Sequence, residues 1–159
     1  MRVLSTTFKD GQSIPQPCAE PGCGGANIRP ALAWTGAPFQ TKSYAITIFD
    51  PDAPRPEGWW HYLVIDIPEF TTSIRENAVI PFSAREWVND YGYLGYGGPN
   101  PPEGPAHRYI HTVYALPRPR LDVPDDATAT EVEQIIKETA IASASITGYY
   151  QNEASRQDS

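Results

Sequence analysis

Two segments of the chain hold residue types whose spacing suits chemistry. The first is Asp50-Pro51-Asp52-Ala53-Pro54. Pro51 lacks an amide proton and fixes φ, so a strand running into it cannot continue in a central ladder. Pro54 biases Ala53 to extended geometry. Carboxylates two residues apart in extended chain can point the same way, which gives a rigid acidic pair at a strand end. By itself the segment reads as a solvated Pro-Asp turn. His61 follows closely, and carboxylates near an imidazole raise its pKa and favour the cation. The same His also fits a satisfied core residue. The chemistry open to such a cluster is anion binding or proton transfer.

The second segment is Tyr96-Gly97-Gly98-Pro99-Asn100-Pro101-Pro102-Glu103-Gly104-Pro105-Ala106-His107-Arg108-Tyr109. Its glycines are no dinucleotide fingerprint, because Pro follows at once and no helix begins. They make an irregular loop whose bare amides can approach a ligand, as in anion-binding nests. His107 and Tyr109 then share one face of the next strand, with Arg108 on the other. Cys18 and Cys23 lie in a loop-like stretch far from the three His. No second cysteine pair completes a zinc set, and a reducing compartment disfavours a disulfide, so both are expected as structural thiols.

Strands must position these groups. Ser43–Asp50 alternates with Tyr44, Ile46, Ile48 and Asp50 on one face. Residues 60–67 put His61, Leu63, Ile65 and Ile67 together, and residues 108–116 put Tyr109, His111, Val113 and Ala115 opposite Ile110, Thr112, Tyr114 and Leu116. All three are rich in β-branched and aromatic residues and bounded by Pro or Gly. Residues 3–8 and 31–34 are weaker strand candidates. A helix is expected over residues 128–147, opened by the Thr128-x-x-Glu131 capping box and stopped by Gly148. A second, short helix is suggested over residues 83–89 by Ser83-x-x-Glu86. Many strands with one or two peripheral helices make a mostly β sandwich.

Composition sets the frame. A length of 159 residues suits one domain, expected over residues 1–150 with a flexible tail at 151–159. Apolar residues at 40% supply a core, and 17 prolines with 12 glycines argue against a helical bundle. Twelve Lys and Arg against 19 Asp and Glu leave no basic footprint for nucleic acid. No apolar run reaches the roughly 18 residues of a membrane span, and no secretory leader is visible, so a cytoplasmic address is expected.

The sequence resembles the phosphatidylethanolamine-binding protein (Raf kinase inhibitor protein-like) family, close to its compact bacterial-type members. The resemblance runs through Cys23-Gly24-Gly25-Ala26-Asn27-Ile28-Arg29-Pro30-Ala31-Leu32-Ala33-Trp34, Asp50-Pro51-Asp52-Ala53-Pro54 and Trp60-His61-Tyr62. It continues in Asn89-Asp90-Tyr91-Gly92, the Gly97 to Tyr109 stretch and Thr147-Gly148-Tyr149-Tyr150. Two departures are Arg29-Pro30-Ala31, where the family has Ser-Pro-Pro, and Thr139, where bacterial-type members often have a His.

What the resemblance implies is a large antiparallel sheet packed on a smaller one, with a C-terminal helix and a small cavity for phosphate-like anions or phospholipid head groups. Carried over, the ligand-binding residues are Asp50, Asp52, His61, the Gly98 backbone, His107 and Tyr109. Bare carboxylates repel phosphate, so Asp50 and Asp52 are expected to orient His61 and His107 and keep them protonated. At least one cis peptide is expected, first at Ala53-Pro54 and next at Gly58-Trp59. A regulatory or inhibitory role towards a protein partner, such as a kinase or protease, is implied, and a homodimer is compatible. No cofactor, metal or integral membrane association is expected. The alternative is an enzyme, such as a cyclase, using the same Asp/His/Tyr cavity for acid–base work. A metal site of His61, His107 and a carboxylate is a third reading, weakened by the absence of a short-spaced His pair.

Overall fold

The computed structural model describes residues 1–152. Its elements are β1 (Arg2–Leu4), β2 (Leu32–Thr35), β3 (Ser43–Asp50), β4 (Trp59–Pro68), β5 (Ser73–Ile74), β6 (Arg85–Glu86), β7 (His107–Leu116), α1 (Ala129–Thr139) and β8 (Ala142–Tyr150). A three-stranded antiparallel sheet runs β1-β2-β5, and a five-stranded one runs β6-β4-β3-β7-β8. The fold is therefore mostly β, two antiparallel sheets with one helix near the C-terminus, as expected.

Period-two alternation divides β3 between two cores. Tyr44, Ile46 and Ile48 pack with Leu32, Trp34, Tyr109 and Val113 between the sheets. Ala45 faces the other way, with Leu63, Ile65, Tyr114 and Leu116, onto Val132 and Ile136 of α1. Burying each such aliphatic side chain contributes about 1.5–3 kcal/mol. The capping box forms: Thr128 Oγ1 accepts from the Glu131 amide at 3.2 Å and donates to Glu131 Oε1 at 3.0 Å.

The helix is shorter than the sequence suggests. Residues 142–150 form β8, paired along β7 from Ala115↔Ala142 to His107↔Tyr150. Alanines and serines at 142–145 carry helix propensity, but alternation places Ile146, Gly148 and Tyr150 inward, and pairing with β7 wins. Residues 83–89 hold no helix either; Arg85–Glu86 adds an edge strand at Val64 and Ile65. No described peptide bond is cis, so Ala53-Pro54 and Gly58-Trp59 are both trans. A tight turn with Arg55 N–H donating to Ala53 O at 2.7 Å, and Gly58 at φ 69°, reverse the chain instead. Of the expected tail, Gln151 and Asn152 hydrogen-bond to Gly104 O and Pro101 O at 2.8 and 3.2 Å, and residues 153–159 lie outside the described residues.

Strand β4 departs from simple alternation twice. Its register to β3 jumps between Ile48↔Tyr62 and Phe49↔Trp60, which leaves His61 as an extra residue. A second jump, between Tyr44↔Ile67 and Ile46↔Val64, spans Asp66 at φ 60°. Asp66 Oδ1 accepts from the Leu121 amide at 2.9 Å and so ties down the arm that leads to α1. Because of these bulges His61 and Ile67 do not share a face with Leu63 and Ile65, contrary to the sequence pattern.

His111 is 1% exposed in the inter-sheet core, where Nδ1 donates to Tyr109 O at 2.9 Å and Nε2 has no partner. Burial pushes its pKa, and that of His61, down to about 4 from 6.5. The unfolded chain therefore binds more protons between about pH 6.5 and 4. Stability is full above that window and is lost as pH falls through it. In His111→Phe, urea unfolding should show a slope of stability against pH shallower by up to about 1.4 kcal/mol per unit in this window. An unchanged slope would refute the buried neutral His111.

Candidate functional site

Three strand ends meet on the inter-sheet side of the large sheet. Asp50 closes β3, Trp59 and His61 open β4, and His107 and Tyr109 open β7. They line a cavity of about 380 Å³ with Ala53, Pro54, Tyr91, Asn100, Pro101, Pro102 and Asn152. Of the six residues expected at the site, Asp50, His61, His107 and Tyr109 come together there, while Asp52 and Gly98 do not line it.

The two carboxylates separate. Asp50 is 3% exposed; its Oδ2 lies 2.7 Å from His107 Nδ1, and its Oδ1 accepts from the Asp52 amide at 2.7 Å. Burial raises its pKa above the ordinary value, with His107 and the Asp52 amide opposing. Asp52 turns outward. Its Oδ2 accepts from the Arg108 amide and Nε at 2.9 and 3.0 Å, and its Oδ1 from Nη2 at 2.8 Å. The Arg108 guanidinium lowers its pKa. Asp52 thus staples the turn after β3 to the start of β7 and does not orient either imidazole.

His61 also differs from expectation. Neither Asp touches it: its Nδ1 donates to Gly97 O at 2.8 Å, and its backbone carbonyl accepts from the Gly97 amide at 3.0 Å. With burial holding its pKa near 4, the ring is neutral at neutral pH. Its edge meets the Tyr109 ring at 5.0 Å between centroids. The Tyr109 hydroxyl is buried without a partner, and burial raises its pKa, so it stays a neutral donor.

Gly98 has a structural reason for its identity. Its amide donates to Asn27 Oδ1 at 2.8 Å, so it is already spent, and its carbonyl accepts from Tyr91 OH at 2.7 Å. A Cβ here would lie 2.1 Å from the Cys18 carbonyl oxygen. Close backbone approach requires the glycine.

The walls come from residues outside the expected set. Trp59 meets Tyr91 edge-on at 5.1 Å, and the Arg55 guanidinium lies 4.5 Å over its ring. Arg55 also pairs with Asp90, which accepts from the Trp60 amide at 2.7 Å. The signal available was the density of aromatics around Trp59 and Tyr91, which spacing alone does not assign to a cavity. Among the described residues no Lys or Arg lines the cavity. Arg29 lies elsewhere, hydrogen-bonded to Ala78 O. Among the described residues no group of three His, Cys, Asp or Glu is arranged to hold a metal ion. Nor is any helix long and apolar enough to cross a membrane. The arrangement can hydrogen-bond a small polar group between aromatic and proline walls.

Comparison with known proteins gives a consistent set of relatives. A family model described as phosphatidylethanolamine-binding protein matches residues 4–151. The UPF0098 protein YbhB of Escherichia coli K12 is 38% identical over 157 residues, covering 94% of this chain and 99% of its own length. A UPF0098 protein of Aquifex aeolicus is 36% identical over 157 residues, covering 96% of this chain and 90% of its own. The crystal structure of E. coli YbcL, described as a new member of the mammalian PEBP family, matches with a TM-score of 0.89 and 35% identity over 94% of this chain and 97% of that one.

The wall loop supplies a test. Gly98→Ala should cost several kcal/mol of unfolding free energy, since backbone must move to admit the methyl. Asn27→Ala, which strands the Gly98 amide, should cost about 1–3 kcal/mol. Urea midpoints measure both; a Gly98→Ala midpoint equal to wild type would contradict the close approach to Cys18.

Proposed function

The chain belongs to the phosphatidylethanolamine-binding protein family, and from that premise we propose that it binds a small phosphate-like anion or phosphorylated head group in the cavity at the strand ends. The buried, unpartnered Tyr109 hydroxyl carries this reading. Tyr109 lines the aromatic- and proline-walled cavity beside two imidazoles, and its sealed hydroxyl is a neutral donor that an acceptor reaching it would satisfy. His107, held by Asp50, supplies its Nε2, and His61 supplies its own. Asp52 and Gly98 fix the strand ends and the loop and do not touch the ligand. With no guanidinium among the described lining residues, binding is modest and selected by shape.

Occupancy of a cavity walled by exposed loops alters the surface around its mouth, which supports a regulatory or inhibitory role towards a protein partner. Free thiols at Cys18 and Cys23 favour a reducing compartment such as the cytoplasm. The 2.7 Å contact of Asp50 with His107 favours a second reading, in which the pair acts as a general base on a bound substrate. Against it, the Cys18 thiol is pushed up to about 12 by burial, and among the described residues no Ser or Cys lines the cavity. That reading would require turnover of a bound compound that His107→Asn abolishes.

Calorimetric titration with inorganic phosphate and phosphoethanolamine tests the binding reading. Wild type should bind at least one of them. Tyr109→Phe, which removes only the hydroxyl, should bind about 10- to 100-fold more weakly, the worth of one hydrogen bond to a charged group. Absence of binding in wild type, or an unaffected Tyr109→Phe, would overturn it.

A further inference from the structure

The polarity of one nitrogen on the cavity floor is fixed by a neighbour that cannot reverse it. The Gly97 carbonyl only accepts, so His61 Nδ1, 2.8 Å away, carries the hydrogen. The backbone N–H of Gly97 holds the His61 carbonyl in turn, which fixes the Gly97 carbonyl beside the ring, and a flipped ring would lose its hydrogen bond to that carbonyl. Nε2 is then the nitrogen left for the cavity that His61 lines, and on a neutral ring it is a bare acceptor. Tyr109 is the opposite, a hydroxyl with a proton to give. His107 takes either polarity: an ionised Asp50 accepts from its Nδ1, whereas a protonated Asp50 donates to it. Among the described residues, the titratable side chains lining the cavity besides His61 are Asp50, Tyr91, His107 and Tyr109, and none of these is a cation independent of pH.

A fully deprotonated oxyanion therefore meets lone pair with lone pair at His61. An oxyanion carrying a P–OH group donates there and accepts from Tyr109. Resting on the anion-binding reading above, we infer that the cavity selects oxyanions that bring their own proton, inorganic phosphate or a singly protonated phosphomonoester, over proton-free sulfate and phosphodiesters. A site built around a hydrogen bond rejects the isostere lacking it because a buried group is left unpaired. An intact phospholipid presents a diester, so the free phosphate or monoester is the source this floor favours.

The test uses the unmodified protein at pH 7 and fixed ionic strength, titrated in parallel with inorganic phosphate, sulfate and glycerophosphoethanolamine as the diester probe. Phosphate should bind about tenfold or more tightly than either of the others, the usual worth of one such hydrogen bond. Equal affinities for phosphate and sulfate, or tighter sulfate, overturn the inference and leave the anion site standing. Diester binding as tight as phosphate overturns it too. Binding to none overturns the anion site and the inference together. The nitrogen-15 spectrum of the imidazoles gives an independent reading: His61 should carry its proton on Nδ1, and a proton on Nε2 with Nδ1 bare would refute the selection outright.

Discussion

The cavity depends on the irregularity in β4 at His61 and on the two hydrogen bonds that bind this residue to Gly97. A regular strand would place His61 on the face of Leu63, against α1. The extra residue in the register lets both His61 and Tyr62 lie towards the inter-sheet side. The bulge also frees the His61 carbonyl from the ladder to accept from Gly97 N–H at 3.0 Å, while the ring donates to Gly97 O at 2.8 Å. That clamp fixes the start of the wall loop. A Cβ at Gly97 would lie 2.5 Å from the Tyr91 ring, so loop and aromatic wall close against each other through a glycine. Gly98, Asn27 and the Cys18 carbonyl continue the same chain of contacts across to the N-terminal loop.

Charge is handled by separation. Two acidic residues in one turn would repel an anion if both faced inward, at a cost that low local dielectric enlarges. The turn that ends β3 at Pro51, closed by the Asp52 amide donating to Asp50 Oδ1, breaks the alternation and sends Asp52 outward to Arg108, and only Asp50 remains inside, spent on His107. The exposed Arg108 pair is worth little as an ion pair. Its value lies in geometry, since three hydrogen bonds hold the turn to the start of β7, where both His107 and Tyr109 begin.

How much of this was legible in the sequence follows from which constraints are local. The packing of a large sheet on a smaller one and the meeting of Asp50 with His107 and Tyr109 are what the family resemblance implies. The mostly β sandwich, the strands β3 and β7 and the capping box follow from local patterns and turn residues. The bulges at His61 and Asp66 did not, because each is stabilised by a distant partner, Gly97 in one case and Leu121 in the other. The protonation of His61 was misjudged for the same reason: its partner is a carbonyl, not a carboxylate. Residues 142–147 read as helix because Ile146 extends the apolar period of Val132, Ile135 and Ile136 up to Gly148, and only the ladder to β7 reveals the strand. Gly98 looked like a donor to a ligand, whereas the crowding at Cys18 O explains it.

A cavity of this kind is held open at a cost. The unpartnered Tyr109 hydroxyl forfeits about 1–3 kcal/mol of hydrogen bonding that water would supply, and His61 forfeits its charge. The surrounding cores bear that cost, since Tyr62, Val64 and Ile67 seal β4 on one side and Leu63 and Ile65 on the other. The rigid framework means a ligand that satisfies the floor need not reorganise it, so the hydrogen bonds formed appear in affinity largely undiminished by ordering. Selection by donor and acceptor pattern is the natural outcome where no fixed cation dominates the field. On the proposed anion-binding reading, such a site would discriminate among ligands of equal charge and size by where their protons sit.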